Sequence, residues 1–137
     1  MNPETEGWSL QDDAGLPEMV RPLWMRQEDA AVAFGFQTRP AHYNGRDMVH
    51  GGIMAIFADH ALGLTVRRAV EGAPTATVQL DINYIGVTRP GAFVEVRAEV
   101  LRRTRSVVFV RGMLTVEATL VATASGVWKI LSRPASG

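Results

Sequence analysis

The sequence predicts an α+β fold in which one curved antiparallel sheet, of about five strands, wraps around one long central helix. Three observations predict it. Residues 50–71 read as one long helix, apolar at 51–58 and 61–64, with helix-ending residues behind it. Nearly everything after that run alternates apolar and polar residues with the period of a strand. The connections between the alternating segments are short, which favours antiparallel pairing, because parallel strands need long crossovers. A helix apolar on almost every face has to be surrounded. Five strands cannot enclose it fully, so an apolar flank is left for a partner subunit and self-association is expected.

Each element has its own warrant. Residues 1–16 are polar, with glycines at 7 and 15, and read as a loose N-terminal arm of a single domain spanning 1–137. The stretch LPEMVRPLWMRQED (16–29) reads as a short helix begun near Pro17 and interrupted at Pro22. AAVAFGFQT (30–38) reads as a strand with Val32, Phe34 and Phe36 on one face. RPAHYNGRDMV (39–49) is a loop in which Asn44-Gly45 marks a tight reversal. The helix over 50–71 would be about 30 Å long at 1.5 Å per residue. Gly72, Ala73 and Pro74 end it.

Four strands follow. TATVQLDINYI (75–85) places Val78, Leu80, Ile82 and Tyr84 on one face and Thr77, Gln79, Asp81 and Asn83 on the other. AFVEVRAEVL (92–101) alternates Val94, Val96, Ala98 and Val100 against Glu95, Arg97 and Glu99. Residues 106–118 and 120–131 complete the set, with Pro90-Gly91 and the basic stretch 102–105 supplying turns.

Composition narrows the class of function. A chain of 137 residues holds one core and little more. Fourteen basic and fourteen acidic residues cancel, so there is no general electrostatic case for nucleic acid or an anionic membrane as partner. The absence of cysteine excludes disulfides, thiolate nucleophiles and cysteine-ligated zinc. MNPETEGWSL lacks the features of a secretory signal. Asp59 and His60 break the apolar run before it reaches the roughly 18 residues of a membrane span. A soluble, cytoplasmic protein is expected. His42, His50 and His60 have no metal-ligand spacing, so no metal site is expected. No Gly-x-Ser-x-Gly elbow is present, which counts against a serine hydrolase.

The chemistry is concentrated in HGGIMAIFADHALGL (50–64). A carboxylate on an apolar helix is costly unless paired, so Asp59 is either a structural cap or a reactive group. Desolvation would make such a carboxylate more basic. Gly51 and Gly52 open the helix, where first-turn amides have no partner inside it. Those amides suit a carbonyl oxygen gaining negative charge, although two glycines can also serve only as a tight junction. Gly51 and Asp59 are eight residues apart, about 12 Å along the axis, too far to meet at one reacting centre within a single chain. Two antiparallel helices related by a dyad would bring Gly51 of one chain to Asp59 of the other.

The pattern N-G-R-D-M-V-H-G-G-x6-D (44–59), followed by TVQLDINYI (77–85) and the β-rich tail, resembles the hotdog-fold acyl-CoA thioesterases of the PaaI type over roughly residues 30–131. That resemblance implies homodimers or homotetramers with sites across the dimer interface. It implies Asp59 as general base or nucleophile and the Gly51 amide as the group polarising the thioester carbonyl, beside Gly52. It further implies Asn44 holding water or substrate, His50 orienting the loop, and Thr77 assisting the attacking water. Arg102, Arg103 and Arg105 fall where relatives carry a basic turn near the coenzyme A phosphates; edge-protecting charge is the alternative. Thr104 departs from the glycine that relatives often carry in that turn. No cofactor is implied, coenzyme A being part of the substrate. A non-catalytic acyl-CoA-binding sensor or carrier of the same fold is the rival reading. The combination of Asp59, Asn44 and His-Gly-Gly favours the enzyme.

Overall fold

A computed structural model describes residues 2–11 and 15–131. Helix α1 runs from Gly51 to Ala69. Seven strands form one antiparallel sheet: β1 Ser9–Gln11, β2 Leu23–Gln27, β3 Val32–Gln37, β4 Thr75–Tyr84, β5 Phe93–Arg103, β6 Val107–Val116 and β7 Thr119–Ile130. Their order across the sheet is β1-β2-β3-β5-β6-β7-β4. The predicted architecture is therefore present with two strands more than the five expected.

Both extra strands come from the first 27 residues and correct two expectations. The stretch 16–29 is not a helix. It holds a single 3-10 turn, Glu18–Val20, and then β2, whose five residues pair with β3. Nor is 1–16 simply a loose arm, because β1 pairs with β2 and Trp8 is buried. Trp8 meets Phe93 edge-on at 5.2 Å and carries the Arg26 guanidinium over its ring at 4.4 Å. With Trp24 and Ala33 these rings form a second apolar cluster on the sheet face away from α1. That cluster is why Ala33 is buried as well as Val32, Phe34 and Phe36. β3 is covered on both faces, with the large Val32, Phe34 and Phe36 towards the main core and the small Ala33 and Gly35 between them.

The helix packs on the opposite face. Ile53, Met54, Phe57, Ala58, Ala61, Leu62 and Val66 are buried, the i, i+3, i+4 set of a single helical stripe. They meet Val94, Val96, Val108, Val110 and Leu114 of the sheet in the main core. At Gly112 of β6 a Cβ would lie 2.9 Å from Leu62 Cδ1 and 3.3 Å from Val96 Cγ2, so glycine there lets the helix pack close. Truncating the fully buried Phe57 to alanine would cost about 3–5 kcal/mol, since a packed core relaxes only partly around the hole. The helix closes on Gly72, in the left-handed region at φ +82°, whose amide donates to the Arg67 carbonyl at 2.9 Å.

The opposite side of α1 is not wrapped. Ala55, Ile56, Asp59, His60, Gly63 and Leu64 are only half-buried. Beyond them, β4 is an edge strand paired only with β7, and Val78 and Tyr84 are 63% and 53% exposed. The apolar flank expected from the strand count lies along this side.

Candidate active site

Asp59 is held by β4. Its Oδ1 accepts a hydrogen bond of 2.8 Å from the Thr77 hydroxyl. Simple alternation assigns Thr77 to the outer face with Gln79 and Asp81, and the structure corrects this. The β4–β7 register steps from Thr77↔Trp128 to Gln79↔Val127, so Val78 is the extra residue of a β-bulge. The bulge shifts the parity of the strand. Thr77 opposes the buried Trp128 and joins Leu80, Ile82 and Tyr84 on the helix side.

The pair opens into a cleft of about 410 Å³ between α1 and the start of β4. Its helical wall follows the i, i+4 spacing Asp59–Gly63–Arg67. Its floor is Trp128, whose Nε1 would lie 3.4 Å from a Cβ on Gly63. A side chain at 63 would narrow the cleft one turn from the carboxylate. Asp59 is half-buried, not fully desolvated, and Thr77 is exposed. The carboxylate is therefore both partnered and reachable, which answers how an apolar helix tolerates it.

Gly51 and Gly52 stand apart from this pair, at the other end of the same helix. His50 is the N-cap residue, and its carbonyl accepts from Ile53 at 3.0 Å and Met54 at 3.3 Å. The Gly51 and Gly52 amides precede those donors and lie on exposed residues. A Cβ at Gly52 would meet nothing within 4 Å of the rest of the chain. Tyr84, at the far end of β4, donates from its hydroxyl to the Gly51 carbonyl at 2.5 Å. Partial desolvation of its hydroxyl against the helix pushes the phenol's ionisation up. Alternation places Tyr84 on the inner face correctly, but nothing in the pattern signals this contact.

The remaining candidates divide. Asn44 Oδ1 accepts from the amides of Arg46 at 2.8 Å and Met48 at 3.2 Å, closing the loop that leads to α1. The His50 amide donates to the His42 carbonyl at 2.9 Å while its side chain makes no capping bond. His42 is fully buried, with Nδ1 accepting from the Arg39 amide at 3.1 Å and Nε2 lying 2.5 Å from the Met19 carbonyl. Burial holds its pKa below the ordinary value, and the imidazole anchors the loop from beneath.

The basic stretch lies at the cleft's end of the sheet. The Ile130 amide donates to Ser106, and Ile130 pairs with Thr75, a cleft residue. Arg102 and Arg105 are exposed there, whereas Arg103 Nη1 donates to the Ala69 carbonyl at 2.8 Å. Arg103 thus caps the negative end of the helix. Thr104 closes the turn with its own hydroxyl, which accepts from the Val107 amide and donates to its carbonyl, both at 3.0 Å. The turn needs no glycine.

A helix laid across a curved antiparallel sheet, with an acid and a hydroxyl over an open cleft, defines the class. Residues 47–123, more than half of the chain, match the thioesterase superfamily, and the chain belongs to that family. The Pseudomonas aeruginosa protein PA0474, an esterase by name, is 29% identical over 117 residues, covering 84% of this chain and 87% of its own. Human acyl-coenzyme A thioesterase 13 is 28% identical over 85 residues, 62% of this chain, and this match spans 61% of the human protein. A variant of the phenylacetic acid degradation protein PaaI from Thermus thermophilus has the same fold, with TM-score 0.69 at 22% identity over 93% of this chain and 96% of that one.

Proposed function

We propose that the protein is an acyl-CoA thioesterase, hydrolysing a thioester to free acid and coenzyme A. The observation that carries the reading is the Asp59–Thr77 pair at the mouth of an open cleft. A carboxylate fixed by a hydroxyl is suited to take a proton from water or to attack a carbonyl carbon itself. Its membership of the thioesterase superfamily and its likeness to a protein named acyl-coenzyme A thioesterase supply the substrate class.

In this reading the thioester carbonyl oxygen rests on the Gly51 amide, beside Gly52, where the helix dipole favours developing negative charge. Asp59 either takes a proton from water as it adds to the carbonyl carbon, or adds to that carbon itself to give an anhydride that water cleaves once coenzyme A has left. The carbon–sulfur bond then breaks, and coenzyme A leaves as a thiolate, a better leaving group than an alkoxide. No cofactor enters these steps. Asn44 and His50 shape the loop that presents the glycines. Arg102 and Arg105, with Arg103 behind them, face the coenzyme A phosphates.

The site is shared between two copies of the chain. Asp59 and Gly51 lie about 12 Å apart on one helix, so the carbonyl held by Gly51 of the partner subunit meets Asp59 of the first. The exposed apolar edge at Val78 and Tyr84 is the contact that a homodimer covers. Leu101, Phe109 and Met113 on the outer sheet face suit the further pairing of dimers into a homotetramer. No helix among the described residues is long and apolar enough to cross a membrane, and a cytoplasmic location belongs to the same reading.

A thiol-release assay over a panel of acyl-CoAs tests the activity. Release by the wild type is expected. No release from any member, with binding retained, would replace the enzyme by a non-catalytic acyl-CoA-binding module.

A further inference from the structure

We propose that Tyr84 is a positioning residue that fixes the Gly51–Gly52 peptide and so aims the exposed amides at the start of α1. This rests on the role given to those amides above. The geometry is specific. In a trans peptide the carbonyl of Gly51 and the N–H of Gly52 share one plane and point in opposite directions. Holding the first therefore sets the second. The helix already supplies one donor to the Gly51 carbonyl, the amide of Ala55 four residues on. The Tyr84 hydroxyl, at 2.5 Å, is a second donor, brought from a different element.

Two consecutive glycines are the reason a second anchor matters. Glycine has the most backbone freedom to lose, and helix ends fray. Close packing at Tyr84 explains one of the glycines as well. A Cβ at Gly51 would lie 3.2 Å from Tyr84 Cζ and 3.3 Å from its oxygen, tighter than ordinary contact. Glycine at 51 makes room for the phenol, whereas glycine at 52 leaves open space for an incoming group. The bond also polarises the peptide, because a carbonyl that accepts strengthens the N–H on the same unit as a donor. The Gly52 amide is thereby prepared as a second donor beside that of Gly51.

The strand thus holds the helix at both functional points. Thr77 at its start carries Asp59, and Tyr84 at its end carries Gly51. Because the bulge at Val78 separates them, both residues face the helix from one edge strand. The same edge is the one a partner subunit would cover, so pairing would lock both anchors together.

Tyr84→Phe removes the hydroxyl and keeps the ring. The expected result is a fall of about tenfold in kcat, the upper end of what one neutral hydrogen bond contributes, with KM within about twofold. The melting temperature and oligomeric state should match the wild type. A second measurement is independent of turnover: in the NMR spectrum of the uniformly 15N-labelled protein, the Gly52 amide proton should move upfield and exchange faster in Tyr84→Phe. Unchanged kcat together with an unchanged Gly52 signal would overturn the positioning role. A wild type inactive on every acyl-CoA, yet with the Gly52 signal moving in the variant, would overturn the thioesterase reading and leave the positioning intact.

Discussion

The Thr77 hydroxyl donates to Asp59 Oδ1 at 2.8 Å across the gap between β4 and α1. This one bond ties the sheet edge to the only acid of the helix. Asp59 and Thr77 line one cleft together with Gly63, Arg67 and Trp128.

Asp59→Asn is isosteric and still accepts the Thr77 bond, so the fold and self-association should survive. Turnover should fall by about a hundredfold or more, the scale of a lost general base or nucleophile. Thiol release beside a thermal melt checks both halves. Wild-type rates in this variant would remove Asp59 from the chemistry.

Thr77→Val should keep the strand and cut kcat by about tenfold, because the carboxylate loses its fixed orientation. Thr77→Ser should retain most of the rate, since it restores the hydroxyl on the same face. Loss of rate in Thr77→Ser with retention in Thr77→Val would point to packing of the methyl group as the role of this position.

How much of this is legible in the sequence depends on the range of the cause. The helix, its glycine stop and strands β5 to β7 are local patterns of period and turn, and they are where the sequence puts them. So is the spacing that separates Gly51 from Asp59. The face of Thr77 is not legible, because one bulged residue, Val78, reverses the parity of the strand and no local signal marks it. β1 is three residues long, and β2 follows two prolines that imitate a helix start and a break. Both exist because Trp8 and Trp24 find Phe93 and Ala33, contacts distant in the chain. The Tyr84 bond to Gly51 spans 33 positions and has no pattern of its own.

The three arginines, Arg102 and Arg103 at the end of β5 and Arg105 in the turn after it, should separate by assay. Arg103→Ala should lower stability by about 0.3–1 kcal/mol through the lost contact at the helix C-terminus. Arg102→Ala and Arg105→Ala should leave stability unchanged and raise KM for acyl-CoA, with a smaller effect on a short thioester that lacks the nucleotide. Equal KM changes on both substrates would exclude phosphate contact.

Two buried or paired groups set separate pH windows for stability. Burial holds His42 below its ordinary 6.5, so the fold favours the neutral ring. Its contribution is complete above 6.5 and is lost as the pH falls from there through the lower folded value. Hydrogen bonds from Arg97, at 2.7 Å, hold Glu28 at about 2 against an ordinary 4.5. That contribution is present above 4.5 and is lost between 4.5 and about 2. Melting temperature against pH should flatten in the upper window for His42→Gln and in the lower one for Glu28→Gln. Unchanged slopes would show that other groups govern the acid transition.

The shared site is the central claim, and a mixed dimer tests it most directly. Gly51→Pro removes the amide hydrogen at the first helical position, where proline is tolerated, and His50 already has the φ −55°, ψ 134° that precedes a proline. The proline Cβ also presses on the Tyr84 ring, which disables the same end of the helix. Asp59→Asn and Gly51→Pro homodimers should each be inactive. A purified dimer with one copy of each has one site with both changes and one with neither. It should recover about half of the wild-type turnover per dimer. No recovery, with both homodimers folded and inactive, would contradict the account and place the whole site within one chain.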